Sequence, residues 1–476
     1  MPPPVVEALN KAAVPLENVA IVVKQLDAPN DAHKPPLVSH RSEQPQNPAS
    51  VMKLLTTYAG LALLGPGYAW KTEVYLSGDL RGDTLNGDLI LRGSGDPKLT
   101  IDRFETLLKQ LRARGLRQIK GDLILDKTSF NTPAHDPARF DNEPLRAYNV
   151  GPDPLLLNFK TVRFQLAPSL NNRMVAITPD ARPIQLQINN RLNLSEGPCG
   201  DWRERLGLDI QTRSLTQLTV TFKGNYPRSC GEKTWNVALL DHARFIGGVF
   251  AEQWQALGGR WAGDVKVTNV PANARLIASL ESPALAEIVR DINKYSNNVM
   301  AQQLFLSLSA SPSSSDINNA GAGSFERSNN VILAWLKQKN IPREGLVLEN
   351  GSGLSRLERI SAQTLVALLE SAWQSPVMPE FLASLSLYGV DGTLRKRTPS
   401  QTDSPIGRAH LKSGTLNDTR AIAGYLQDAE ERRWVVVMLI NHPNAPQAQS
   451  AQDALLQWVY QMPVEEPLIN PSMSRP

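Results

Sequence analysis

The chain's fold is limited most by a change of texture along its length. Both ends mix helical periodicity with apolar strands, whereas residues 72–271 read as short alternating strands broken by turn signals. At the start, residues 5–13 carry an amphipathic helical pattern and residues 19–26 are rich in β-branched side chains. A polar, proline-bearing loop at 27–48 then leads into an apolar helical run at 50–64. The far end mirrors this order. Residues 421–427 and 434–441 read as antiparallel strands joined by a polar turn at 428–432, and 451–461 reads as a closing helix. A sheet completed from both termini follows, with the β-rich stretch inserted into it.

Within the insertion, strands are expected at 87–91, 121–126, 156–166, 184–188 and 218–222, with turns at Asn86-Gly87, Gly95-Asp96-Pro97 and Gly224-Asn225. Gly-Asp-Leu-Ile-Leu occurs at Gly87 and again at Gly121. Two copies are too few for a solenoid, and the repeat is expected to mark similar hairpin starts. Helical periodicity returns at 241–257, 283–308, 329–339 and 361–373. The Ser-, Asn- and Gly-rich segment 310–324 reads as a flexible surface loop to which no chemistry is assigned.

With 476 residues the chain is long enough for two or three domains. Fifty Lys and Arg against 46 Asp and Glu leave a net charge of +4, without a block of like charge, so nucleic acid is not an expected partner. The longest wholly apolar run, at 434–440, is far below the roughly 20 residues that cross a bilayer. No transmembrane segment is expected, which leaves peripheral membrane association open. The N-terminus lacks the basic start, apolar middle and small-residue cleavage site of a secretory signal, so an exported protein would have had its leader removed. The two cysteines, Cys199 and Cys230, lie in turn-like surroundings with no nearby His or Cys. One disulfide is favoured over two free thiols, and it points to an oxidising compartment. No metal or other cofactor is expected. The six histidines are scattered without ligand spacing, and His410 is read as packing. Neither a Gly-x-Ser-x-Gly elbow nor a phosphate-binding loop is present. Nothing in the sequence sets an oligomeric state.

Three short motifs carry chemistry. In Asn47-Pro48-Ala49-Ser50-Val51-Met52-Lys53, proline followed by an apolar run puts Ser50 at or near a helix N-terminus, with Lys53 at i+3 on the same face. A serine hydroxyl needs a base to become a nucleophile, and a lysine whose amine is pushed towards neutrality can be that base. Ser-x-x-Lys alone arises by chance about once or twice in a chain this long, and Ser50 alone could be an N-cap. In Tyr295-Ser296-Asn297-Asn298, the Ser and Asn residues are poor helix-interior choices. They suggest a break that exposes Ser296 and Asn298 together, although they could simply cap a helix. Lys412-Ser413-Gly414-Thr415 lies just before a strand or on one, where a cation, two hydroxyls and a glycine suit a carboxylate-bearing backbone. An ordinary β-turn is the bland reading.

Taken in order, the three motifs resemble those of the penicillin-recognising serine acyl enzymes. The 245 residues between Ser50 and Ser296 make the chain similar to the low-molecular-mass class C penicillin-binding proteins, the D-alanyl-D-alanine carboxypeptidase/endopeptidase group. Further stretches fit it: Gly93-Ser-Gly-Asp-Pro97, Asn350-Gly-Ser-Gly-Leu-Ser-Arg356 and Gly389-Val-Asp-Gly-Thr393. The resemblance implies an α/β fold: a serine β-lactamase/transpeptidase-like domain (1–71 and 272–476), its antiparallel sheet flanked by helices. The large β-rich insertion would form two further domains, one at 72–96 and 165–271 and a smaller one nested at 97–164.

The resemblance also implies roles. Ser50 would be the nucleophile, Lys53 its base, Ser296 a proton relay, Asn298 a holder of the substrate amide, and Lys412 the charge of the site. Backbone N–H groups of Ser50 and Thr415 would form the oxyanion hole, and Ser413 and Thr415, flanking Gly414, would bind the terminal carboxylate. Asp141, with Tyr148 nearby, and Arg356 would read the peptide side chain. The implied substrate is the D-alanyl-D-alanine end of peptidoglycan stem peptides, with β-lactam antibiotics as covalent inhibitors and a periplasmic location. Two alternatives are weighed against this. A β-lactamase is disfavoured because no Glu-bearing deacylation loop is found between the first two motifs, and an idle cell-wall-binding scaffold because all three motifs are intact.

Overall fold

The structure is a computed structural model that describes residues 1–26, 35–171, 174–214, 217–310, 321–397 and 403–463. The centre of the loop expected at 310–324 and the start of the loop expected at 27–48 lie outside the described residues. The chain divides into two compact units. One comprises residues 1–66, 289–297 and 329–476, and the other 67–288 and 298–328.

The first unit is built on a six-stranded antiparallel sheet in the order Ser386–Leu387, Ala409–Leu416, Thr419–Gln427, Arg433–Asn441, Val19–Gln25, Val38–His40. The N-terminal strand therefore pairs with the last strand of the chain, as its texture predicts. The short Val38–His40 strand was not expected, because three residues are too few for a period-2 pattern to register. Register sets Val19, Ile21 and Val23 opposite Ile440, Met438 and Val436. Alternation puts these six on one face, where they pack with Val5 and Leu9 of the Pro3–Lys11 helix and Leu455 and Val459 of the Gln449–Tyr460 helix. Ala20, Val22, Val435, Val437 and Leu439 point the other way and are also buried, on the side covered by the Ala362–Trp373 helix. Both faces being covered explains why these strands read as continuous apolar runs.

The second unit holds a seven-stranded sheet and two three-stranded sheets. Lys71–Arg81 and Thr84–Gly93 form its long hairpin, and Arg275–Glu281 pairs with the first of them, which keeps residues up to Ile288 in this unit. The two Gly-Asp-Leu-Ile-Leu copies are not hairpin starts. Their strands lie side by side and parallel, with Leu89, Ile90 and Leu91 opposite Leu123, Ile124 and Leu125. The strands Gln118–Ile119 and Leu123–Asp126, in the stretch expected as a nested domain, thus share a sheet with Thr84–Gly93. A further surprise in the β-rich stretch is the Ile101–Ala113 helix, which turns Phe104, Leu107, Leu108 and Leu111 inward at helical spacing. The strand expected at 156–166 forms only from Val162, and a turn with three left-handed residues, Asn158 to Lys160, precedes it. The disulfide Cys199–Cys230 is present.

Candidate active site

Ser50 lies in a tight turn, Ala49–Met52, that runs directly into the Lys53–Leu64 helix. The turn is held from outside. Asn441 accepts from the Asn47 N–H at 2.7 Å and donates back to the Asn47 carbonyl at 2.9 Å, while the Asn47 side chain accepts from Ala49 N–H and donates to the Ser355 carbonyl. These bonds support Ala49 at a φ of +46°, a left-handed conformation that costs a residue with a side chain about 1–3 kcal/mol. Two glycines close on the turn. A Cβ on Gly353 would lie 1.9 Å from the Ala49 carbonyl oxygen, and one on Gly414 would lie 2.5 Å from that of Pro48.

Lys53 is fully buried, with Nζ 2.9 Å from Ser50 Oγ. The same nitrogen donates to the Ser352 carbonyl. Burial and the nearby charge of Lys412 hold this amine well below the usual lysine range, and Glu358 acts in the opposite sense. A buried amine beside a serine hydroxyl is chemically a base waiting for a proton.

Lys412 occupies the Ala409–Leu416 strand, so the third motif is on a strand and not in a free turn. It too is fully buried, and burial pushes its amine down to about 7. Its Nζ donates to Ser296 Oγ at 2.9 Å and to the Ser413 carbonyl at 2.8 Å. Ser296 interrupts two helices, Leu285–Tyr295 and Asn298–Ala310, and has a φ of +56°. The break expected from the sequence is therefore there, but it does not expose both side chains. Asn298 is buried in the second unit, and its Nδ2 donates to the Tyr148 carbonyl at 3.1 Å, because the first turn of its helix packs against the 147–149 turn.

The hydroxyls of the third motif have partners. Ser413 Oγ lies 2.8 Å from Thr393 Oγ1, and Thr415 Oγ1 accepts from Arg420 at 2.6 Å. Thr393 comes from the Gly389–Thr393 stretch, which is anchored two residues earlier by a 2.6 Å ion pair between Asp391 and Lys294. In the first unit Arg356 pairs with Asp418 at 3.4 Å. In the second, Tyr148 donates to Asp141 Oδ2 at 2.8 Å and Asn149 to Oδ1 at 2.7 Å. His410 is half-buried, and burial lowers its affinity for a proton.

Sequence reasoning did not find Glu358, the Asn47–Asn441 clamp or Lys294 as the partner of Asp391, because each works through backbone groups or across long sequence separations. The Gly389–Thr393 stretch was marked by its resemblance, without a role for Asp391 or Thr393. Among the described residues no cluster of His, Cys, Asp or Glu could hold a metal ion, and no helix is long and apolar enough to cross a membrane.

Residues 4–462 match the D-Ala-D-Ala carboxypeptidase 3 (S13) family, and the chain belongs to that family. It is 28% identical to a D-alanyl-D-alanine carboxypeptidase from Actinomadura sp. strain R39 over 86% of this chain and 76% of that protein. It is 23% identical to the D-alanyl-D-alanine carboxypeptidase DacB of Haemophilus influenzae over 83% of this chain and 80% of that one. The crystal structure of penicillin binding protein 4 from the same organism superimposes with a TM-score of 0.75 at 21% identity, covering 97% of this chain and all of the other. That protein has also been solved with a β-lactam bound. The α/β architecture expected from the three motifs is the one observed.

Proposed function

We propose that this protein is a serine DD-peptidase that removes the terminal D-alanine from peptidoglycan stem peptides through an acyl-enzyme on Ser50. The observation that carries the reading is the fully buried Lys53 amine 2.9 Å from Ser50 Oγ. In acylation, Lys53 takes the Ser50 proton as Oγ attacks the carbonyl carbon of the penultimate D-alanine. The backbone N–H groups of Ser50 and Thr415 receive the oxyanion, and Gly414 lets the Ser50 turn lie close to the strand that carries Thr415. The C–N bond breaks, and Ser296, bonded to Lys412, relays to the departing amine the proton that Lys53 took from Ser50, which leaves Lys53 neutral again. A water then attacks the ester, returns a proton to Oγ and releases the shortened peptide. Lys412, Ser413 and Thr415 offer charge and hydroxyls to the terminal carboxylate.

The same acylation would serve for D-alanyl to meso-diaminopimelyl crosslinks, where the leaving amine belongs to a second stem peptide. Asp141, Tyr148 and Arg356 would read the peptide side chain. A β-lactam would acylate Ser50 and leave slowly. Peptidoglycan as substrate and a disulfide between Cys199 and Cys230 both favour the periplasm. Labelled penicillin tests the reading: it should attach to the wild type and not to Ser50→Ala, and attachment to both proteins or to neither would refute it.

A further inference from the structure

Glu358 is a fully buried acid that the mechanism above does not use. Its Oε1 accepts three successive backbone N–H groups, from Glu349 at 3.2 Å, Asn350 at 3.0 Å and Gly351 at 2.9 Å. A carboxylate cradled in this way organises the turn that follows. Gly351 and Gly353 have φ values of +70° and +79°, and Asn350 Oδ1 accepts from both the N–H and the hydroxyl of Ser352. The product is a rigid loop with two contacts at the reaction centre. The Ser352 carbonyl receives Lys53 Nζ, and Gly353 lies so close to Ala49 that it has no room for a side chain. Thr56, one turn along the Lys53 helix, bonds the Gly351 carbonyl at 2.6 Å and ties the loop to the same helix.

The second carboxylate oxygen, Oε2, is buried without a hydrogen-bond partner among the described residues. A buried carboxylate of this kind is expensive unless a cation offsets it. The titratable group that interacts with Glu358 is Lys53, while Lys53 faces both Glu358 and Lys412. Glu349 is close in sequence, but its own carboxylate is engaged by the Ser355 hydroxyl at 2.6 Å.

We propose that Glu358 is a positioning residue for acylation: its carboxylate builds the loop that fixes Lys53 and the Ser50 turn, and its negative charge acts on the buried Lys53 amine. The inference rests on the acyl-enzyme reading of Ser50. Burial raises the proton affinity of Glu358 above that of an ordinary carboxylate, and the three N–H donors and Lys53 act against that rise. Its charge in turn keeps Lys53 from losing its proton too readily, which preserves the strength of the base.

The test is the pH dependence of penicillin acylation in the wild type, Glu358→Gln, Glu358→Asp and Glu358→Ala. Gln keeps an acceptor for the N–H groups and removes the charge. The acidic limb should then move about one unit to lower pH, with a plateau a few-fold slower, because the free amine forms earlier and is a weaker base. Asp keeps the charge and should keep the wild-type limb. Ala leaves three buried N–H groups without a partner and should lose acylation at every pH. If E358Q does not fold, Glu358→Asn is read in its place. Superimposed wild-type and E358Q profiles, with Ser50 labelled in both, would overturn this inference alone. An unlabelled wild type would bring down the Ser50 reading and this inference together.

Discussion

Gly414 lies so near the Pro48 carbonyl that a methyl group on it would sit 2.5 Å from the oxygen and 3.1 Å from the Ser50 nitrogen. The strand of the third motif and the turn of the nucleophile are fitted to each other through this one missing side chain. Gly414→Ala must therefore push the strand off the turn. The obstacle is backbone, so no side-chain rotation relieves it. Displacing reacting groups by about 1 Å costs on the order of 100-fold in rate. Acylation by labelled penicillin should fall by about that factor, while thermal melting shows a folded protein. An acylation rate within a few-fold of the wild type would show that the close fit is not used.

Lys412 gives a pH prediction. Burial pushes its amine down to about 7, and kcat/KM reports the ionisation of the free enzyme. If its charge is what receives the substrate carboxylate, kcat/KM for a D-alanyl-D-alanine peptide should decline as pH rises through about 7. Lys53, whose amine is held well below the usual lysine range by burial and the charge of Lys412, is the base whose ionisation sets the acidic limb. The stability consequence has the opposite sense. The unfolded chain keeps this lysine protonated to about 10.4, so between pH 7 and that value the unfolded state binds more protons and Lys412 contributes stability that grows with pH. Lys412→Met should flatten that slope in denaturant titrations at several pH values and remove the alkaline limb of whatever activity remains. An alkaline limb unchanged in K412M would assign it to another group.

The parts of this site that could be read from sequence share one property: their geometry is local. Ser50 and Lys53 meet because i and i+3 share a helical face, and Ser296 marks a helix break because its neighbours compete for backbone hydrogen bonds. The third motif was legible as lying just before a strand or on one, and its place on the Ala409–Leu416 strand came from the structure. Glu358 was not, because the groups it gathers are backbone N–H groups whose grouping depends on how a loop folds. The Asn47–Asn441 clamp joins residues almost 400 positions apart. In the insertion, the Ile101–Ala113 helix was hidden by the strand-like texture on either side of it. The parallel pairing of Leu89 with Leu123 reverses a reading that took two similar pentapeptides for two hairpins.

The disulfide closes a loop between positions 31 residues apart. In the chain-entropy account such a crosslink stabilises by roughly 3 to 4 kcal/mol. Both cysteines belong to the second unit, whereas Ser50, Lys53 and Lys412 belong to the first. Cys199→Ala with Cys230→Ala should lower the melting temperature of the second unit by several degrees and leave penicillin acylation of the folded protein within about two-fold of the wild type. Loss of acylation in the folded double variant would show that the reacting groups depend on the crosslink.

Asp141 is nearly saturated. Oδ1 accepts from Asn149 and from the Glu143 N–H, and Oδ2 accepts from the Tyr148 hydroxyl at 2.8 Å. Burial and this acidic neighbour together push the Tyr148 hydroxyl up to about 12, so it remains a donor throughout the working range. A cationic amine on the substrate side chain would have to share Oδ2 with that donor. Removing the competitor and removing the charge should therefore act in opposite directions on one quantity, the ratio of kcat/KM for a peptide with a free side-chain amine to that for its N-acetylated counterpart. Asp141→Asn should lower the ratio by about ten-fold, equivalent to about 1.4 kcal/mol of lost discrimination. Tyr148→Phe should raise it, since Oδ2 is freed while the carbonyl at position 148 still receives Asn298. A ratio that stays the same in D141N would remove Asp141 from side-chain recognition and leave it as the brace of the 141–149 turn.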